Sequence, residues 1–189
     1  EMTRVAYRAT GKAATSSNQR DVVIGISPAF GIKLFQTIAG HPLSAILRVL
    51  IAGIEEGGCT ARVVRMRHTA DTSFLGLGAA RLAGSGVGIG IQAKGTAVIH
   101  QKDRLPHNNL ELFSNSPITK LDHYKRMGVN AAAYALGVMP EPIIVPTRGE
   151  AMGSRYHARV SLIYAIETEM TSEGAEPEEI DVKFLGAAA

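Results

Sequence analysis

Lys94 is the side chain with the clearest chemistry to offer, because of the backbone that surrounds it. It stands in Gly84-Ser85-Gly86-Val87-Gly88-Ile89-Gly90-Ile91-Gln92-Ala93-Lys94-Gly95-Thr96-Ala97-Val98-Ile99-His100-Gln101. Gly alternates with Ser, Val and Ile, a period of two that fits a strand approached closely on one face by another backbone or by a ligand. The run breaks at Ala93-Lys94-Gly95 and resumes as the β-rich Thr96-Ala97-Val98-Ile99. That predicts two strands joined by a short turn with Lys94 near its tip. A lone cation there, beside backbone that Gly leaves uncovered, suits a phosphate. Spacing alone also admits a surface lysine on an ordinary hairpin, which is the plainer reading.

Familiar phosphate loops do not match. A nucleotide P-loop needs Gly-Lys-Ser/Thr opening a helix, whereas here Lys94 precedes Gly95 and a strand-like run follows. Gly88-Ile89-Gly90-Ile91-Gln92-Ala93 fits the variant dinucleotide fingerprint in spacing only, since that motif must open a helix. Metal and acid–base chemistry find no better footing. The 6 His residues (His41, His68, His100, His107, His123 and His157) are scattered, without a second His or Cys at ligand spacing. Glu55 and Glu56 read as a solvated helix end. Glu167, Glu169, Glu173, Glu176, Glu178 and Glu179 lack a His or Lys arrangement for proton transfer, and no Gly-x-Ser-x-Gly elbow occurs. The residues read as a binding module with no catalytic and no metal-ligating set.

Composition agrees with a globular chain. Of 189 residues, 46% are apolar and 20% charged, enough for one domain with a real core. A net charge of +3, with no basic run among aromatics, argues against nucleic acid. The single Cys59 excludes an internal disulfide framework, suits a reducing compartment, and reads as a small buried hydrophobe. No signal peptide or apolar span is evident, so neither membrane nor export is expected. Glu1 at the first position leads to the expectation of a further native segment before it.

The elements that must position Lys94 can be read along the chain. Residues 1–20 are polar and aperiodic and read as an N-terminal arm, with 21–189 as one α/β domain. Asp21-Val22-Val23-Ile24-Gly25-Ile26 reads as a buried strand ended by Ser27-Pro28. Leu43, Ile46, Leu47, Leu50, Ile51 and Ile54 recur at helical spacing until Gly57-Gly58 stops the run. Ala61 to Met66 reads as a strand, and Asp71 or Thr72 can cap a helix to about Leu82. This strand–helix–strand–helix order predicts a three-layer α/β core with a partly parallel sheet. A helix over about Thr119 to Leu136 follows, then a connector with Pro140, Pro142 and Pro146. Val160 to Ile166 and Ile180 to Phe184 are expected as late strands.

Several of these segments, in order and spacing, carry a resemblance. They are Ser27-Pro28-Ala29-Phe30-Gly31, Leu50-Ile51-Ala52-Gly53-Ile54-Glu55-Glu56-Gly57, Ala61-Arg62-Val63-Val64-Arg65, and the Gly-rich run through Gln92-Ala93-Lys94-Gly95-Thr96. Val98-Ile99-His100-Gln101, Asn109-Leu110-Glu111-Leu112-Phe113 and Gly128-Val129-Asn130-Ala131-Ala132-Ala133-Tyr134-Ala135 complete them. From roughly Asp21 to Glu169 the chain resembles the medium subunit of adenosylcobalamin-dependent diol and glycerol dehydratases. The resemblance implies a Rossmann-like core that grips the nucleotide loop, phosphate and dimethylbenzimidazole of adenosylcobalamin. It also implies a large barrel subunit where a 1,2-diol becomes an aldehyde, a small subunit, a dimer of heterotrimers, and service by a reactivating factor. The expected location is the cytoplasm or a bacterial microcompartment.

Carried over by motif, Lys94, Asp71, Asn109 and Tyr156 are the implied cofactor-binding residues. Gly153 stands where the family has an Arg, so Arg155 or Arg148 supplies that charge, or phosphate binding is weaker. His107 and Ser114 replace apolar family residues. The alternative is the small subunit of a dehydratase-reactivating factor, a shorter chaperone-like relative. Propane-1,2-diol and glycerol are not distinguished, because substrate contacts belong to the large subunit.

Overall fold

The alternation in Asp21–Ile26 decides which residues face which helical layer. In the computed structural model, residues 4–114, 116–145 and 154–185 are described, apart from the side chains of Arg4, Ser154 and Arg155. Chain order is β1 (Arg4–Lys12), β2 (Asp21–Ile26), α1 (Leu43–Glu56), β3 (Thr60–Arg65), α2 (Thr72–Leu82) and β4 (Val87–Ile91). There follow β5 (Ala97–Gln101), β6 (Glu111–Phe113), α3 (Leu121–Ala135), α4 (Ser154–Glu169) and β7 (Glu178–Leu185). The strands form one mixed sheet in the order β1-β7-β3-β2-β4-β5-β6. Only β3, β2 and β4 run parallel to one another. The other pairs are antiparallel.

Steps from β2 to β3 and from β3 across to β4 move in opposite directions, so right-handed crossovers put α1 and α2 on opposite faces. Side-chain packing follows. Val22, Ile24 and Ile26 join Ile46, Leu47, Leu50 and Met127 in the cluster beneath α1 and α3. Val23 and Val64 join Leu75 and Ala79 beneath α2. The chain is therefore a three-layer α/β fold with a partly parallel sheet, as expected.

The Gly-rich strand owes its glycines to a helix. A Cβ on Gly88 would lie 2.3 Å from the Ala80 nitrogen, and one on Gly90 2.3 Å from the Gly76 nitrogen. The α2 backbone fills the face that spacing left open to a ligand. Across the sheet, α1 and α3 meet as closely: a Cβ on Gly53 would lie 2.1 Å from the Lys125 carbonyl oxygen.

Two expectations fail. Residues 4–12, expected in an arm outside the core, form β1, antiparallel to β7 from Arg4↔Leu185 to Lys12↔Glu178. Val5 and Tyr7 are half-buried while Ala6 and Arg8 are exposed, an amphipathic edge strand whose Arg and Lys hide its period. Arg62 pins this extension, donating to Asp21 Oδ2 at 2.9 Å and to Glu179 Oε2 at 2.7 Å. The run from Val160 to Ile166, expected as a strand, lies inside α4. Its Val, Ile, Leu and Tyr favour strands locally, yet Tyr156, Val160, Ile163 and Glu167 form the protected stripe at helical spacing.

Candidate functional site at the carboxyl edge of the parallel strands

Strand order reverses between β2 and β4, and the switch-point crevice at the carboxyl ends of such strands is the usual ligand position in sheets of this kind. Ser27-Pro28-Ala29-Phe30 leaves β2 and Gln92-Ala93-Lys94-Gly95 leaves β4. The Ser27 N–H donates to Ile91 O at 3.1 Å and holds the two exits together. In the β4–β5 turn, Gly95 N–H donates to Gln92 O and Gln92 N–H to Thr96 O, both at 2.9 Å. Gly95 takes φ +106, and a Cβ there would meet the Tyr124 hydroxyl at 2.7 Å.

The protein fixes both carbonyls at the tip of this turn. Ile38 N–H donates to Lys94 O at 3.1 Å, and the buried Tyr124 hydroxyl donates to Gly95 O at 2.6 Å. The Lys94 side chain is left over. It is half-buried, loss of water pushes its pKa below the ordinary lysine value, and its ammonium bonds to no acceptor among the described residues. A partly desolvated ammonium without a counter-charge is a poor structural device and a good anion holder.

Asp71 lies at the same edge, where β3 gives way to α2. Its Oδ1 accepts from Ser73 N–H at 2.9 Å and Phe74 N–H at 3.2 Å, capping α2. The other carboxylate oxygen accepts no hydrogen bond among the described residues. Gln92, two residues before Lys94, reaches the residue preceding Asp71: its Nε2 donates to Ala70 O, while its Oε1 is buried and has no partner among the described residues. From α4, the Tyr164 hydroxyl reaches this group; burial first and the Asp71 charge second push its pKa up, against a hydrogen bond from Gln92.

Behind the crevice, Arg65 at the end of β3 is buried and donates to the carbonyls of Ser27, Pro28 and Phe30 at 3.3, 3.0 and 2.7 Å. Burial lowers its pKa, opposed by the charges of Glu178, Tyr7 and Glu167. Glu167 completes the arrangement, accepting from the Ser27 hydroxyl and from Ala29 N–H at 2.8 Å.

Of the sequence-predicted residues, Asp71 and Lys94 thus share one edge. Asn109 is half-buried on the β5–β6 loop, two residues past His107, whose ring meets Phe74 of α2 edge-on at 6.1 Å. That contact brings the loop to the helix turn that Asp71 caps. Tyr156 is in the first turn of α4 beside His157, about 12 Å along the helix from Tyr164; no contact joins it to Lys94 among the described residues. The Arg155 side chain, Arg148 and Gly153 lie outside the described residues. Ser114 is exposed. Sequence reasoning missed Ser27, Gln92 and Glu167. The one local signal was Ser27-Pro28 at the carboxyl end of a predicted central strand, where the crevice had to fall.

Among the described residues, no group of three or more His, Cys, Asp or Glu could hold a metal ion, and no helix is long and apolar enough to cross a membrane. A solved glycerol dehydratase reactivase shares the fold, at 20% identity and a TM-score of 0.50, over 67% of this chain and 96% of that one. A solved diol dehydratase-reactivating factor complexed with ADP and Mg2+ is also 20% identical, with a TM-score of 0.48 over 69% of this chain and 100% of that one. The dehydratase medium subunit family model matches residues 27–141, which include β2's exit loop, the capped α2, the Lys94 turn and Asn109. By that match the chain belongs to the dehydratase medium subunit family.

Proposed function

We propose that the chain is the medium subunit of an adenosylcobalamin-dependent diol or glycerol dehydratase, and that its carboxyl edge holds the nucleotide side of the cofactor. The observation that carries this reading is the half-buried Lys94 ammonium, without a partner among the described residues, on a turn whose carbonyls are already fixed. The polar groups suit such a cofactor: an ammonium for the phosphate, and an Asp71 oxygen with no partner among the described residues for an amide N–H. Asn109 and Tyr156 would extend the grip along the nucleotide loop, and Arg155 or Arg148 would add charge. When bound, the cofactor supplies carbon–cobalt homolysis, which starts radical dehydration of the diol in the large subunit. This chain positions and excludes water; the acid–base and substrate contacts lie elsewhere.

The chain from β1 onward would act as one binding domain, closed by the large subunit, with the small subunit completing each half of a dimer of heterotrimers. A solved glycerol dehydratase reactivase shares the fold. The match to the medium subunit family, together with the third of this chain outside the reactivase match, supports the dehydratase reading. Co-expression with large and small dehydratase subunits tests it. The reading expects a hexamer that turns propane-1,2-diol or glycerol into an aldehyde only when adenosylcobalamin is added, and no such activity from the chain alone. A chain that stays monomeric beside those partners, or dehydrates a diol without them, overturns it.

A further inference from the structure

Glu167 is 2% exposed, and it is the one fully buried side chain of α4 among the described residues. Its Oε1 accepts from the Ser27 hydroxyl and from Ala93 N–H at 3.4 Å, and its Oε2 from Ala29 N–H at 2.8 Å. The Ser27 hydroxyl also accepts from Ala93 N–H at 3.1 Å. A carboxylate is an expensive choice for a buried helix anchor, since an apolar side chain would fill the space without desolvating a charge. Here it is compensated in a specific way. It ties the loop after β2 to the turn after β4, with the Arg65 guanidinium behind them.

The tie matters because of what lies on each side of it. Ala93 immediately precedes Lys94, and its backbone orientation sets where the ammonium points. Tyr156, Val160, Ile163 and Glu167 lie along one protected stripe of α4. Among the described residues that helix makes no extensive contact with another helix, and Glu167 anchors its last turn.

We propose that Glu167 is a positioning residue that locks α4 to the Lys94 turn, so that Lys94 and Tyr156 present themselves to one anionic ligand in a fixed register. This inference rests on the reading of Lys94 as the holder of the cofactor phosphate. It predicts that loss of Glu167 acts through Lys94 rather than beside it. Gln at this position keeps an acceptor for Ala29 N–H and can donate to the Ser27 hydroxyl, which still accepts from Ala93. Ala keeps neither.

The test uses the assembled complex with large and small subunits, carrying Glu167→Ala, Glu167→Gln, Lys94→Ala, or Glu167→Ala with Lys94→Ala. The readouts are the apparent KM for adenosylcobalamin, kcat, and amide exchange at Ala29 and Ala93 in the free chain. The proposal expects Glu167→Ala to speed exchange at both amides and to raise KM about fivefold to twentyfold, far more than it lowers kcat. Glu167→Gln should recover most of that loss; if the Ala variant does not fold, Ser27→Ala, which removes the hydroxyl linking Glu167 to Ala93, stands in for it, with a rise in KM expected and a KM within twofold overturning the proposal. The double variant should be no worse than Lys94→Ala alone. If Lys94→Ala weakens the cofactor while Glu167→Ala and Glu167→Gln leave KM within twofold, or if the two losses simply multiply, the positioning role falls and the reading of Lys94 stands. If Lys94→Ala is also without effect, both fall.

Discussion

Burial takes water from Lys94, and no carboxylate among the described residues makes up the loss. Its pKa is therefore lowered, which fixes two signs. The ammonium form binds a phosphate, so affinity is full below the folded pKa and falls as pH rises through it, earlier than for an ordinary lysine. The ligand-free fold behaves oppositely: in that window the unfolded chain keeps a proton that the native chain sheds, so stability rises with pH. Cofactor titration of the complex at increasing pH should show the alkaline loss, and Lys94→Arg, which stays charged, should flatten it. Asp71 combines a cap with its proposed ligand role, and two variants separate them. Asp71→Ala should cost about 1 kcal/mol of stability by removing the α2 cap, whereas Asp71→Asn should cost little because Asn caps as well; urea titration of the free chain checks both. The Lys94 turn and the Asp71 cap were legible in the sequence because their signals are local, a broken Gly alternation and a helix start. Glu167 was not, because its partner Ser27 lies 140 residues away, and no spacing rule spans that distance.

Elements here are positioned by backbone contact more than by side-chain size. The glycines of β4 admit α2 against the sheet, and α2 in turn carries Asp71 to the crevice. A methyl group on Gly90 would lie 2.3 Å from the Gly76 nitrogen and 2.7 Å from Thr72 O. Both are backbone atoms that cannot swing aside, so Gly90→Ala should cost about 1–3 kcal/mol or more, read as a lower urea midpoint. An unchanged midpoint would mean that α2 is free to shift, against the packing described here. The strands and helices of the parallel core were readable because burial on both faces, helical spacing and Gly stops all agree there. At the two ends of the chain these signals conflict. The Arg and Lys of β1 mask an amphipathic strand, and the β-favouring residues of α4 outvote a stripe that only tertiary packing makes visible.

Several large apolar side chains stand exposed among the described residues. Leu105, Met139, Ile144 and Leu162 are 76%, 82%, 78% and 68% exposed, and Phe35 stands out beside the loop that holds the Lys94 turn. Such surface fits an obligate subunit, which should bury on the order of 2,000 Å² or more in total against its partners. In the proposed reading, a cofactor closed between two subunits would make the Lys94 contact stronger than it would be in open water. A Lys94 that holds the nucleotide side of the cofactor would act away from the carbon–cobalt bond, so that contact should affect binding and leave the chemical step nearly untouched. The central claim is therefore tested by steady-state kinetics of the reconstituted complex carrying Lys94→Ala, with adenosylcobalamin as the varied ligand. Loss of one charge-assisted contact, about 1.5–3 kcal/mol, should raise the apparent KM for the cofactor about tenfold to a hundredfold with kcat reduced far less. A KM within about twofold of the unsubstituted complex would make the turn a structural one and contradict the account.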